Sequence, residues 1–549
     1  MIGQQAAIGT SKGQSSFVVN ALFTAWSFRL PALLICCGAG FLSVVLGPDN
    51  NWDLRFYHLY APWAYLHGRY LYDVGPAQYQ GFFNPTADFL FYTLTSSRLN
   101  ESPRIVTFIM GAVHGINAVL IFAIALHVLR PLQHLERVTL RAVALLMGVS
   151  GVGFVSLLGT TTNDLVNSIF VLGSLLAILQ VAEQASERGA WRDLAWSGLL
   201  AGIGIGLKYT AAIFVPGLGL IALITAARRK TAYSLTAFGV AAIVGFLAVA
   251  GHHLLTLWQD FGNPIFPLFN NIFQSPYYDP VTIRDTQFLP RDFWQLIARP
   301  FYWTKANSYL ASELPFRDWR GAIAYTALAA GVLTLAASYM RPKHPRDGVF
   351  AETRGLGLVF IFVIASYLVW ELGFGIYRYA VALEMLTGVV TMGALIWLFE
   401  DHRLRIVLAI VLLTIAATTT VYLDWGRGEY GERYIDVRVP RLPANSVVLI
   451  ATWDPVAYFI PFAESTAQFL GIENNYLELS QTNKLASEVK RVMRTPGRMK
   501  FVLSVGEFNR NTLNSLLEQF GLRLSASPCQ PIRSNLEEHA LSLCPVAAN

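Results

Sequence analysis

The chain has 549 residues, 54% of them hydrophobic and only 14% charged, with a mean hydropathy of +0.44. A water-soluble protein of this length needs far more charge to cover its surface, so composition excludes that class. The net charge of +6 sits in short loops between apolar segments rather than on a basic, aromatic-interleaved surface, which excludes nucleic acid as a partner.

In chain order, residues 1–29 are a polar, Gly/Ser-rich tail with Lys12 and Arg29, expected in the cytoplasm. About eleven apolar segments follow, most of them close to the roughly 20 residues that cross a bilayer core. They cover 30–46, 105–129, 141–158, 165–182, 194–207, 209–227, 233–256, 321–340, 355–371, 379–398 and 404–423. The first is not followed by a small-residue cleavage site and is expected to be retained. Cys36 and Cys37 inside it read as small packing residues. Basic residues cluster after particular spans: Arg130, Arg137 and Arg141; Arg228, Arg229 and Lys230; Arg341, Lys343, Arg346 and Arg354; Arg403 and Arg405. The positive-inside rule puts these loops in the cytoplasm, and the odd span count then puts the C-terminal tail outside. Segment 194–207 is short and runs into Lys208 with almost no turn, the pattern of a tilted or broken hairpin that lines a cavity.

Three segments fall on the outer side: 48–104, 257–320 and the tail from Asp424. In the tail, strand-like Ser446–Ala451 and Met499–Val505 alternate with helical Lys484–Arg494 and Asn511–Phe520, which predicts a small α/β domain. A disulfide between Cys529 and Cys544 is permitted there. The expected architecture is therefore a polytopic α-helical membrane protein of about 11 transmembrane helices with a small extracytoplasmic α/β C-terminal domain. Its parts are a tail over 1–29, a transmembrane module over 30–423 and the domain over 424–549.

Segment 48–104 is crowded with aromatics and carries Asp49, Asp53, Asp73 and Asp88. An interfacial aromatic belt accounts for Tyr65, Tyr70, Phe82 and Phe83. It does not account for a carboxylate just past a span, preceded by Trp52, at the start of a helix-like stretch Asp53–His67. Asp53, Tyr57 and Tyr60 recur at helical spacing and are expected to share a face. Asp164 lies in the short turn Thr160–Asp164, where capping the next helix is the plainer role and a functional one is compatible with it. Lys208 and Arg378 are cations at span boundaries. Snorkelling explains such a residue singly, but two at headgroup depth suit a phosphate or diphosphate. The Pro- and aromatic-rich segment 257–320, with Arg284, Arg291, Arg299, Arg317 and Arg320, reads as a rigid loop on the bilayer surface.

This constellation resembles the GT-C glycosyltransferases, integral membrane enzymes that use polyprenyl-phosphate-linked sugars. Asp53 in Asn51-Trp52-Asp53 matches the acidic residue of their first outer loop, which acts as catalytic base. Asp164 in Thr162-Asn163-Asp164-Leu165 resembles the acidic residue of the next outer turn, and Gly206–Thr210 and Tyr377–Glu384 look like family elements. The layout covers nearly the whole chain. The resemblance implies a multi-pass protein of the bacterial inner membrane that works among membrane lipids. It would transfer a hexose or pentose from a polyprenyl-phosphate donor to a lipid or glycan acceptor, with inversion. Asp53 would be the base, and Asp164 a catalytic group that positions acceptor or metal. Tyr57, His58, Lys208, Arg378 and Arg284 would bind substrate. Asp53 is followed by Leu54, so the paired-acid form of the motif is absent. Dependence on a divalent cation such as Mg or Mn is left open.

Three other readings stand beside it. A transporter or flippase of lipid-linked sugars would carry ionisable groups deep in its spans, where this sequence has almost none. A lipid-linked polysaccharide polymerase or ligase would use an arginine-rich late outer loop, which 257–320 could supply. A non-catalytic scaffold would use its tail to bind partners.

Overall fold

The computed structural model describes residues 26–129, 133–183, 189–229, 231–305, 308–340, 353–473, 475–506 and 510–549. The tail over 1–25, Arg130, Lys230, Arg341, Lys343 and Arg346 lie outside the described residues. The chain is a polytopic α-helical membrane protein with a strand-containing C-terminal domain. Among the described residues, nine helices are long and apolar enough to cross a membrane. Helices dominate because a chain in lipid must satisfy its backbone N–H and C=O groups within the segment. Helix Tyr377–Leu398 lies at the centre of the bundle and is almost wholly buried, whereas Phe28–Leu46 and His402–Thr419 sit at the edge and are mostly exposed.

Two expected spans take another form. Segment 141–158 is divided, with helix His134–Val149 ending before Ser150-Gly151 and a short turn Val152–Leu157 resuming after it. The glycine at the break makes room for the Glu384 carboxylate, which a Cβ on Gly151 would meet at 2.1 Å. Segment 194–207 is a continuous helix that begins earlier, Ala190–Leu207, and packs along helix Ala232–Phe261. Gly198, Gly202 and Gly206, spaced by four, let the two backbones touch: a Cβ on Gly202 would lie 1.9 Å from the carbonyl oxygen of Ala242. Asn84 closes that helix by donating to the carbonyls of Gly206 (2.7 Å) and Val249 (3.0 Å). Lys208 is therefore placed by the end of a continuous helix rather than by a tilted or broken hairpin.

The C-terminal domain is built on seven strands: β1 Val437–Arg438, β2 Val447–Ile450, β3 Gln468–Gly471, β4 Lys500–Val505, β5 Leu522–Leu524, β6 Gln530–Ser534 and β7 Leu541–Ala548. The sheet runs β1-β6-β7-β4-β2-β3, with β5 paired to β7 off that path. β2 is parallel to β3 and β4, and β7 is antiparallel to β4, β5 and β6. The domain is not an appendage. Val74 bridges to Leu470 beyond the β2–β3 edge, and one hydrophobic core joins Leu54, Tyr57, Trp63 and Phe82 to Leu449, Phe459 and Phe469. Arg69 makes a fork onto Asp73 (2.9 and 2.7 Å) and reaches the carbonyls of Ser465 and Ala467, pinning segment 48–104 to the domain.

The glycine stripe gives a direct test. Gly202→Leu is expected to destabilise the protein by at least about 1–3 kcal/mol, since a backbone carbonyl cannot yield to the new side chain. Gly219→Ala, at a helical glycine with nothing within 4 Å of its Cβ position, should stay near wild type. Thermal unfolding in detergent compares the two, and equal midpoints would contradict this packing.

Candidate active site

The site begins at the end of the first span. Asp49 is buried and clasps two turns together, accepting from the Thr161 amide (2.7 Å), the Thr161 hydroxyl (2.8 Å) and Asn51 Nδ2 (3.0 Å). The Tyr434 hydroxyl accepts from the Asp49 amide at 2.9 Å. This brings the turn carrying Asp53 against the turn carrying Asp164. Past Asp53 the chain winds as one wide π-helical turn, Leu54–His58, before helix Tyr60–Leu66. Such turns are rare and are found mostly at functional sites.

The wide turn corrects the expectation of a shared face. Tyr60 does not serve Asp53, because its hydroxyl donates to Asp73 at 3.2 Å. With more than four residues per turn, Tyr57 and His58 both lie near Asp53 around the axis. Tyr57 packs edge-on against Phe83 at 5.7 Å and lies beside His58 at 4.1 Å between ring centroids.

Four of the predicted residues meet as two ion pairs. Arg378 donates to Asp53 at 2.5 Å, and Lys208 donates to Asp164 at 2.8 Å and to the Thr162 carbonyl at 2.8 Å. The Tyr379 ring faces both cations, with Lys208 Nζ 5.2 Å and Arg378 Cζ 5.6 Å from its centroid. The pairs are sheltered but reachable: the side chains of Asp53, Arg378 and Lys208 keep 15%, 18% and 17% exposure, and Asp164 only 3%. Three polar atoms of this cluster are buried with no hydrogen-bond partner among the described residues: Asp164 Oδ2, Arg378 Nε and His58 Nε2. Each of the three is a polar atom that a bound group can satisfy.

Arg378 is held by what flanks it. Gly375 has φ of +66° and carries no Cβ where one would sit 2.1 Å from the Phe288 carbonyl, so the chain can turn there. Tyr377 donates to Glu384 at 2.6 Å, and Glu384 accepts in turn from the amides of Gly153 (2.7 Å) and Phe154 (2.9 Å). Burial acts to raise the Asp53 carboxyl, but Arg378, then His58 and Lys208, outweigh it and hold Asp53 below the ordinary carboxylate value. Asp53 is therefore an anion at neutral pH.

Arg284 lies apart from this cluster, exposed, with its guanidinium on the carbonyls of Leu372 (3.2 Å) and Gly373 (3.3 Å) at the end of a helix. Other arginines of segment 257–320 are also committed: Arg299 to Glu371 at 2.6 Å, Arg320 to Asp318 at 2.9 Å and Arg317 to the Thr419 carbonyl at 2.7 Å. Sequence reasoning missed one feature outright. Asp88 bonds both His58 Nδ1 (2.7 Å) and Asn163 Nδ2 (2.6 Å), joining three segments far apart in the chain. As for a metal, the two carboxylates of the quartet are each occupied by a cation. The described residues hold no group of three or more His, Cys, Asp or Glu suited to a metal ion. The donor set does not fit one.

The profile of one protein family, described as dolichyl-phosphate-mannose-protein mannosyltransferase, matches residues 89–254. No curated protein matches the chain in sequence. Among solved structures, the chain is similar to ArnT from Cupriavidus metallidurans bound to undecaprenyl phosphate, at 12% identity and a TM-score of 0.47, covering 94% of this chain and 97% of that one. It is also similar to the Archaeoglobus fulgidus oligosaccharyltransferase in its apo form, at 12% identity and a TM-score of 0.44, covering 87% of this chain and 70% of that one.

The electrostatics predict a measurable shift. In Arg378→Gln the burial of Asp53 loses its main offset, so the Asp53 carboxyl should titrate at higher pH than in the wild type. Infrared carboxyl bands, assigned by their absence in Asp53→Asn, report it. An unchanged titration would mean that the pair does not govern Asp53.

Proposed function

We propose that this chain is a GT-C-type membrane glycosyltransferase that moves a hexose or pentose from a polyprenyl-phosphate donor to an acceptor hydroxyl, with inversion, on the extracytoplasmic side. The observation that carries this reading is the Asp53–Arg378 and Lys208–Asp164 quartet, ringed by buried polar atoms that have no partner. The family profile over 89–254 supports it, since it describes transferases of a lipid-phosphate-linked sugar.

The chemistry follows from the groups present. The acceptor oxygen attacks the anomeric carbon and loses its proton to Asp53 while the bond from that carbon to the phosphate oxygen breaks. The electron pair of that bond leaves on the phosphate, which gains negative charge. Lys208 and Arg378 then stabilise the leaving group. In the unliganded protein the same two cations are neutralised by Asp164 and Asp53, so neither is buried unpaired. A phosphate that draws Arg378 toward itself also frees Asp53 to act as base. Asp164 holds Lys208 and orients the acceptor.

Sidedness rests on two features of the reading. Cys529 and Cys544 are joined by a disulfide in the domain whose core encloses the acidic turn, which suits an oxidising compartment. The basic loops between spans then face the cytoplasm. The commitment of Arg284, Arg299, Arg317 and Arg320 to main-chain carbonyls and carboxylates weighs against a ligase-like arginine loop.

Release of polyprenyl phosphate from a sugar-charged lipid in reconstituted vesicles tests the reading. Asp53→Asn should lower the rate about 10²–10⁴-fold, the usual worth of a positioned base. Lys208→Met and Arg378→Met should each weaken donor binding as well as turnover. Full transfer by Asp53→Asn would refute the assignment of the base.

A further inference from the structure

Helix Phe293–Tyr302, in the segment between the spans Ala232–Phe261 and Arg320–Ala337, has two unlike faces. Phe293, Trp294, Ile297 and Phe301 are exposed at 65%, 70%, 43% and 44%. At about 100° per residue they fall within an arc of roughly 100°, so they form one apolar stripe. Four large apolar side chains in one stripe are unfavourable against water, and a cover for them is expected. Continuity identifies the cover. Phe301 packs edge-on against Tyr325 at 5.9 Å, and Tyr325 belongs to a span whose apolar surface is largely uncovered by the rest of the protein. Trp258 and Trp319, at the ends of the two spans that this segment joins, are exposed as in an interfacial aromatic belt.

The opposite face carries Arg299, which is 2% exposed and ties the helix to the turn before Arg378. Its Nε pairs with Glu371 at 2.6 Å, and its Nη1 donates to the carbonyls of Phe288 (2.8 Å), Gly375 (3.2 Å) and Leu310 (3.4 Å). Gly375 leaves room for this, since a Cβ there would lie 2.8 Å from Arg299 Nη1. Two residues on, the Tyr377 amide donates to the Ala311 carbonyl at 2.7 Å, and the Tyr377 ring packs against Trp303 (5.2 Å) and Phe316 (4.5 Å). The turn that delivers Arg378 is therefore wrapped by the segment that carries the exposed stripe.

We propose that helix Phe293–Tyr302 lies in the outer leaflet with its apolar stripe among the lipid chains, and that Arg299 is a positioning residue that links this seat to Arg378. The partner is the lipid surface itself. Arg291 and Asp292 before the helix and Lys305 after it are exposed, as headgroup depth requires. A guanidinium suits the link, because its planar fork holds a carboxylate and carbonyls together where an ammonium is a single point of charge. The proposal rests on the transferase reading only in naming Arg378 a phosphate partner, and neither measurement below uses transfer.

The seat is tested with the full chain in phospholipid vesicles, in a Cys36→Ala, Cys37→Ala background. Nitroxide labels on Phe293→Cys, Ile297→Cys and Phe301→Cys should be relaxed by oxygen, which concentrates in lipid, and shielded from a water-soluble nickel chelate. A label on Asp285→Cys, at an exposed polar position, is the reference. Chelate access equal to the reference overturns the lipid seat, and so does shielding from both reagents, which would mean a protein partner. The link is tested by Arg299→Lys, which keeps a charge for Glu371 but loses the fork onto Gly375. The Asp53 carboxyl, read by its infrared band, should then titrate at higher pH than in the wild type, because Arg378 is no longer held against it. Combining Arg299→Lys with Arg378→Gln should add nothing to the rise in Arg378→Gln alone. A purely structural Arg299 would lower stability and leave the Asp53 titration in place, which overturns the link. If Arg299→Lys does not fold, Trp294→Asp with Ile297→Asp, both on the exposed stripe, decides instead: the Asp53 titration should rise, and an unchanged one overturns the link. Absence of polyprenyl phosphate release by the wild type would count against the transferase reading and leave both results standing.

Discussion

A cation at the depth of a membrane surface is tolerable only beside a counter-charge, and the arrangement of this protein follows from meeting that constraint twice within one Tyr379 ring's reach. Arg378 and Lys208 are each held by one carboxylate, and the four residues come from positions 53, 164, 208 and 378. No local element could assemble them. Each is delivered by a separate device: a clasp by Asp49 across two turns, a wide π-turn, a helix fixed by a glycine stripe, and a turn anchored through Tyr377 to Glu384. The two pairs leave the quartet neutral without a ligand. They also leave Arg378 Nε unbonded, so a phosphate has a hydrogen bond to gain on arrival.

The C-terminal domain belongs to this arrangement. Its core is continuous with the residues around the wide turn, and Arg55, two positions beyond Asp53, pairs with Glu538 at 2.6 Å. The acidic turn is thus gripped between the bundle and the sheet. Rigidity there has a functional sense, because a base displaced by an ångström loses much of its effect.

The sequence was informative where physics acts locally. Long apolar runs announced the spans, and strand β4 and helix Lys484–Arg494 lie where alternation and helical spacing put them. Lys208 and Arg378 stood out because basic residues are rare among the short outer turns. The glycines at 198, 202 and 206 were equally legible as a four-residue repeat, and reading them would have removed the expectation of a broken hairpin. What stayed hidden depends on contacts between distant segments. Nothing local announces that Asp88 holds both His58 and Asn163, which lie 30 and 75 residues from it. Nor does helical spacing reveal a π-turn, which is why Tyr60 was expected on the same face as Asp53, whereas its hydroxyl donates to Asp73. Strands β5 to β7 were missed because they are short or carry a proline, and their pairing with one another defines them.

The central claim is that the quartet is where a lipid-linked phosphate binds. A structure of the full chain with a polyprenyl phosphate bound tests it most directly. The account predicts phosphate oxygens within about 3 Å of Lys208 Nζ and the Arg378 guanidinium, with Arg378 drawn away from Asp53. A phosphate seated elsewhere, with the Asp53–Arg378 pair intact, would contradict it.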